Sequence, residues 1–147
     1  MIYPIQERQM THSNINALEP KIVHDLYNWL PSYGESKVVC HYDNRILNVD
    51  IFYEVDNSDE LLKKTLVFTN VCFHLFSACP GVDLLNINYQ GHKLPLGSLI
   101  EFEKSEASKK WNEHFEWAKT SYRHFKLFFI AENYRLEVFA QQFDLKQ

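Results

Sequence analysis

The longest apolar segment of the chain runs from Thr65 to Gly81 and reads TLVFTNVCFHLFSACPG. Apolar side chains occupy both alternating sets of positions, so both faces of an extended segment would need to be buried. Pro80 and the following glycine end the run. The pattern predicts a central strand, Thr65–Ser77, hydrogen-bonded on both edges, with a bulge at Asn70 where a polar residue interrupts one face.

The residues before this run predict a β-hairpin. Lys37–Tyr42 and Arg45–Val55 flank Asp43 and Asn44, two residue types that tolerate the left-handed backbone of a tight turn. The second strand alternates apolar and polar residues, which is typical of a strand with one face in the core and the other in water. Its apolar positions are Leu47, Val49, Ile51, Tyr53 and Val55.

Two segments show helical periodicity. Apolar residues recur at helical spacing from about Pro20 to Leu30, and a proline that follows the segment would end a helix there. Ser105 is a suitable N-cap for a second helix that extends to about Lys119. Trp111 belongs to the apolar stripe of this second helix, so the stripe is expected to face the sheet.

The remaining patterns predict strands. Short strands are expected at Leu84–Tyr89 and Ser98–Glu103, and longer ones at Tyr122–Ala131 and Tyr134–Phe143. The predicted fold class is therefore α+β: a mostly antiparallel, meander-like sheet with one helix near the N-terminus, at about 20–30, and one before the C-terminal hairpin, at about 105–119.

Composition adds limits to this picture. The 147 residues predict a single domain, 1–147, and an aromatic content of 15% is enough for a substantial core. The net charge of −4 disfavours nucleic-acid binding, which depends on an excess of lysine and arginine. The first residues lack the pattern of a signal peptide, no segment has the length of a membrane span, and three cysteines suit a reducing compartment. We therefore expect a cytoplasmic protein.

The sequence contains no recognisable motif for catalysis or for binding a metal or cofactor. Its seven histidines show none of the spacings that are typical of zinc sites. Cys79 and His74 are the best pair for a cysteine nucleophile, but nothing in the sequence orients them. His74 suits a hydrogen-bonded position in a sheet better than a ligand position. We therefore predict no catalytic residue, no metal and no cofactor.

Two features favour a surface that binds another protein. Between His41 and Glu60 six acids stand against one base, and an acidic surface attracts a basic partner. One tryptophan lies off the apolar stripe of its helix, and exposed tryptophan is a common anchor at interfaces. Alternatively, the acids form a solvated face and the aromatic rings only cover the sheet. The residues predicted to bind the partner are Asp43, Asp50, Glu54, Asp56, Asp59, Glu60 and Trp117.

Parts of the chain resemble a group of small uncharacterised bacterial α+β proteins. The resemblance lies in Leu66–Phe73, which reads LVFTNVCF, and in Phe125–Phe129 and Leu136–Val138 of the C-terminal hairpin. Some proteins of this kind occur beside toxins and look like immunity proteins, which neutralise a toxin by binding it. The matching residues are core strand residues, so the resemblance implies a fold and no catalytic residue.

These observations predict a non-enzymatic, cytoplasmic protein that binds another protein. The narrower form of this prediction is an immunity protein that binds a basic toxin domain. Neither nucleic acid nor a membrane is an expected partner. The alternative is a small-molecule-binding protein or small enzyme with a site in a concavity of the sheet, because aromatic-rich sites often hold apolar ligands. A homo-oligomer that uses the last hairpin as an edge is a third interpretation.

Overall fold

The computed structural model describes residues 20–55, 58–78, 88–89, 92–93, 96–103, 105–117 and 121–147. One α-helix and a short 3₁₀ turn, Leu26–Asn28, accompany the strands of these residues. In chain order the elements are β1 (Pro20–Asp25), β2 (Lys37–Asp43), β3 (Ile46–Glu54), β4 (Leu61–Thr69), β5 (Phe73–Ala78), β6 (Asn88–Tyr89), β7 (His92–Lys93), β8 (Ser98–Phe102), α1 (Glu106–His114), β9 (Arg123–Phe128), β10 (Tyr134–Ala140) and β11 (Gln142–Lys146).

The longer strands form two antiparallel sheets that pack face to face. Sheet A has the order β1-β8-β9-β10-β5, sheet B has the order β11-β4-β3-β2, and β6 and β7 form a two-stranded sheet. Buried side chains from both sheets form one core, in which the ring centroids of Phe68 and Phe125 are 5.5 Å apart. The predicted antiparallel, sheet-rich fold is confirmed, but the molecule is more nearly all-β than the α+β fold with two helices that we expected.

The predicted hairpin is confirmed, and the predicted second helix is confirmed in part, because α1 ends at His114 rather than at about Lys119. The strand predicted at Tyr134–Phe143 is divided into β10 of sheet A and β11 of sheet B. β2 and β3 pair in antiparallel register, and the alternating positions of β3 from Leu47 to Tyr53 are buried. The positive-φ residues of the turn are Asn44 and Arg45, one position later than predicted, which is typical of a two-residue hairpin turn. Ser105 caps α1 by accepting a hydrogen bond from the backbone N–H of Ser108. No helix among the described residues is long and apolar enough to cross a membrane.

The predicted helix from Pro20 to Leu30 is wrong. Its first half is β1, which pairs with β8 and contains a register irregularity between Ile22 and His24. Only Leu26–Asn28 forms a helical turn, and this turn places Leu26 in the core. The apolar residues have helical spacing because they lie partly in a strand and partly in the turn that follows it. The hydrogen bonds of β1 with β8 favour the strand over a helix.

The central strand predicted at Thr65–Ser77 is also wrong, because the chain changes sheet within it. β4 is an interior strand of sheet B, between β3 and β11, whereas β5 is the end strand of sheet A in the described part of the chain. Asn70, where we expected a bulge, adopts a φ of 55° between the two strands. Leu66, Phe68 and Phe76 belong to one alternating set and contribute to the same core from the two sheets. The apolar residues of the other set in β5, Phe73 and Leu75, are partly exposed on the outer face of sheet A. Most of the strand predicted at Leu84–Tyr89 lies outside the described residues.

Candidate functional site

The structure separates the acidic residues that were predicted to form one surface. Asp43 pairs with Ile46 beside the hairpin turn, while Glu54 pairs with Leu61 at the other end of β3. β3 has nine residues, so these two ends are roughly 26 Å apart. Asp59 and Glu60 are exposed beside the far end, and Asp56 lies outside the described residues.

Asp50 lies between the two ends of β3 and is engaged within sheet B. Its Oδ1 accepts a hydrogen bond of 2.6 Å from the hydroxyl of Thr65, and its Oδ2 lies 3.7 Å from His41 Nε2. The carboxylate therefore joins β2, β3 and β4 on the outer face of the sheet. This arrangement gives Asp50 a structural role, and it makes the residue less available to a partner than an unpaired acid.

Trp117 is the most exposed of the large apolar side chains in the described residues, at 71%. It lies in the turn after α1, and its ring contacts Phe115 with centroids 5.9 Å apart. Phe115 stacks on Trp111 at 6.0 Å, and Trp111 packs on Phe73 of β5 at 6.1 Å. Leu75 lies on the same face of β5 as Phe73, and the two are 39% and 38% exposed. We call Phe73, Leu75, Trp111, Phe115 and Trp117 the aromatic patch.

A cleft of about 860 Å³ runs between α1 and the adjacent ends of β8 and β9 in sheet A. Its wall on the sheet side includes Tyr122, which is buried and accepts a hydrogen bond of 2.8 Å from Arg45. The side-chain oxygen of Asn112 in α1 accepts a hydrogen bond of 2.6 Å from the backbone N–H of Tyr122, so this bond connects the helix to the sheet side of the cleft. Acidic side chains dominate the lining, and they are Glu101, Glu103, Glu106, Glu113 and Glu116.

A buried polar relay lies beneath α1. Ser105 Oγ is 2.9 Å from His124 Nδ1, and His124 Nε2 is 2.9 Å from the carboxylate of Glu137. Lys126 Nζ lies 3.3 Å from the same carboxylate. The hydrogen bond from His124, assisted by the charge of Lys126, lowers the pKa of Glu137 to about 2 against the opposing effect of burial.

The relay has the residue types of a serine hydrolase, but its serine cannot reach a substrate. Ser105 is 1% exposed, and its Oγ already accepts the backbone N–H of Ser108 as the cap of α1. A nucleophile must contact the substrate as well as its base. The relay therefore fixes the N-terminus of α1 on sheet A and so positions both the cleft and the aromatic patch.

The described cysteines and histidines supply no reactive centre. Cys40 and Cys72 are free thiols, and burial raises the pKa of each to about 11, so both stay protonated and unreactive near neutral pH. His24 accepts a hydrogen bond from the indole of Trp29 at 2.9 Å, and burial lowers its pKa. Within the described ranges no three histidine, cysteine or acidic side chains converge on a metal position. Cys79 lies outside those ranges.

Sequence reasoning identified Trp117 but missed the rest of the candidate site. The carboxylates of the cleft come from three segments of the chain. The available signal in the sequence was the spacing of Glu106 and Glu113, which are seven residues apart and so lie on one side of a helix. His124 alternates with core residues in β9, so its contact with Ser105 depends on the docking of α1. The missing information was the packing of the helix on the sheet.

Comparisons with known proteins assign the chain to no family. No family model, no curated protein and no solved structure matches it. The resemblance to immunity-like proteins therefore stays a prediction.

Proposed function

We propose that this chain is a non-enzymatic, cytoplasmic protein that binds another protein through the aromatic patch. The observation that carries the proposal is the 71% exposure of Trp117 at the end of a continuous series of ring contacts. Large aromatic side chains at interfaces supply much of the binding free energy when a partner buries them. The exposed residues of β5 extend the patch onto sheet A, which supplies a rigid support.

A narrower form of the proposal is that the partner is a toxin and the chain is its immunity protein. The net charge of −4 suits a basic partner such as a nuclease domain. The resemblance of Leu66–Phe73 and the C-terminal hairpin to immunity-like proteins points in the same direction. Coexpression with the product of each neighbouring gene tests this form, and the predicted result is that growth is restored for a gene product that is toxic when expressed alone.

The broader proposal is tested by capture from the native host followed by reconstitution. We expect the wild-type chain to retain a stoichiometric protein, and we expect the purified partner to bind Trp117→Ala much more weakly than wild type. Leu61→Ala is the matched control, because Leu61 is 50% exposed and lies at the far end of β4. Equal binding of both variants and wild type would contradict the proposal.

The second candidate function is small-molecule binding in the cleft. Its volume of about 860 Å³ is within the range of ligand sites, although its lining is more acidic than that of a typical apolar site. The site lies beside the sheet rather than in the concavity of the sheet that we predicted. NMR titration of the chain with a library of small cations distinguishes the two functions, because saturable shifts confined to cleft residues would favour this second one.

A further inference from the structure

The carboxylates around the cleft are only partly compensated by positive charge. Arg123 donates two hydrogen bonds to Glu101, of 2.7 and 3.0 Å, so this pair adds no net charge. Glu103 has an exposed partner, Lys21, at 3.6 Å. The lining carboxylates that form no ion pair with a described residue are Glu106, Glu113 and Glu116. The described lining contains two bases, Arg123 and Lys109. The acids of the lining outnumber them, so the cleft carries a net negative charge.

The spacing of these acids suits an extended polypeptide. Glu106 and Glu113 are two helical turns apart on one side of α1, a separation of roughly 10 Å. In an extended segment with polyproline II geometry, residues three apart lie on the same face and are separated by about 9 Å. Lysine or arginine at every third position of such a segment would therefore meet successive acids along the cleft.

The cleft and the aromatic patch meet at the turn after α1. Glu116 lines the cleft, and the next residue, Trp117, belongs to the patch. Phe115 of the patch contacts Tyr122 of the cleft wall with ring centroids 5.6 Å apart. A single segment of a partner can therefore place cations in the cleft and an apolar side chain against the tryptophan.

We propose that the cleft binds a basic, extended segment of the protein partner, with an apolar residue of that segment packed against Trp117. This inference rests on the proposed function and adds the chemistry of the partner. Charge complementarity favours this occupant, because the three acids that form no ion pair with a described residue would repel an acidic segment. In this proposal the acids that attract the partner lie on and just after α1, whereas the sequence predicted that they lie between His41 and Glu60.

The test compares two triple variants that each remove three negative charges, one set in the cleft and the other outside it. The first is Glu106→Gln, Glu113→Gln and Glu116→Gln in the cleft. The matched control is Glu54→Gln, Asp59→Asn and Glu60→Gln beside the far end of β3, where the side chains are also exposed. The probe is a short synthetic peptide with arginine at every third position and leucine between, and calorimetric titration at low and high salt measures its Kd. A peptide with glutamate in place of arginine is the negative probe.

The proposal predicts that the cleft variant raises the Kd of the arginine peptide about tenfold at low salt, while the control changes it by less than about twofold. Absence of binding to wild type at millimolar peptide, equal losses in both variants, or a loss in the far-end variant alone would each overturn it. Trp117→Ala separates this inference from the proposed function. If the purified partner depends on Trp117 but not on the cleft acids, only the basic-segment inference fails.

Discussion

The Glu35 carboxylate joins the loop before β2 to the turn between β9 and β10. It is 3% exposed and accepts backbone hydrogen bonds from Ala131 and Glu132, both at 2.8 Å, and a longer one of 3.3 Å from Ile130. Without these donors the buried carboxylate would have lost its hydrogen-bond partners, which costs more than an exposed hydrogen bond returns. One side chain therefore fixes a turn that is distant in sequence.

We predict that Glu35→Gln lowers the free energy of unfolding by about 2 kcal/mol, because a neutral amide offers one acceptor oxygen to three donors. Urea denaturation followed by circular dichroism measures the change. Glu54→Gln, at an exposed position of β3, is the control and is expected to change stability by less than about 0.5 kcal/mol. Similar small effects for both variants would show that the carboxylate is not needed for the turn.

Glu137 makes stability depend on pH in the acidic range. Its pKa of about 2 in the folded chain lies below the ordinary value of 4.5, so between these two values the unfolded chain binds more protons at this site. The stabilisation is complete above pH 4.5 and is lost as the pH falls towards 2. Its size is on the order of 3 kcal/mol, because one pKa unit corresponds to about 1.4 kcal/mol.

Glu137→Gln is predicted to remove this part of the acid sensitivity while its amide oxygen keeps a hydrogen bond from His124. The measurement is the free energy of unfolding at several pH values from neutral to acidic, for both wild type and variant. The difference between the two curves isolates Glu137 from the other carboxylates. The two curves should converge as the pH falls, and parallel curves would contradict the assignment.

At the scale of elements, two corners let the chain pass from one sheet to the other. β4 leads into β5 at Asn70, and β10 leads into β11 at Gln141. The side chains of these two residues are joined by a hydrogen bond of 2.8 Å, and the N–H of Gln141 donates to the carbonyl of Thr69 at 3.1 Å. The corners therefore lie side by side and hold one end of the sandwich.

Asn70→Val is predicted to destabilise the chain by about 1–3 kcal/mol, because a β-branched residue is strained at a φ of 55°. Asn70→Gly is the matched variant, since glycine adopts this backbone freely and lacks the same side-chain hydrogen bond. Chemical denaturation of both variants separates backbone strain from the loss of the hydrogen bond. Equal destabilisation would mean that the hydrogen bond to Gln141, rather than the backbone, sets the cost.

The elements with local signals could be predicted from the sequence, and those that depend on distant partners could not. The hairpin of β2 and β3 follows from strict alternation and a turn, and α1 follows from the cap at Ser105. The change of sheet at Asn70 was hidden because strands of both sheets face one core and their apolar patterns run together. Pairing of β1 with β8, far along the chain, likewise overrode an apparent helical period.

At the scale of the whole molecule, α1 on the outer face of sheet A distinguishes one side of the sandwich from the rest. The relay from Ser105 to Glu137 fixes this helix, which then presents the aromatic patch on one side and the acidic cleft on the other. The acids at and beside the far end of β3, Glu54, Asp59 and Glu60, belong to neither surface. The sequence placed Trp117 off the stripe of a helix, whereas α1 ends at His114 and Trp117 is exposed in the turn that follows. A surface built from β5, α1 and β8 requires the tertiary fold.

Binding through the aromatic patch is tested by the Kd of the purified partner for wild type, Trp117→Ala and Leu61→Ala, measured by isothermal titration calorimetry. We predict that Trp117→Ala raises the Kd by about thirtyfold, the effect of losing a tryptophan hot spot of about 2 kcal/mol. Leu61→Ala should leave the Kd within about twofold of wild type, because its exposed side chain lies outside the patch. An unchanged Kd for Trp117→Ala would contradict the claim that the aromatic patch is the binding surface.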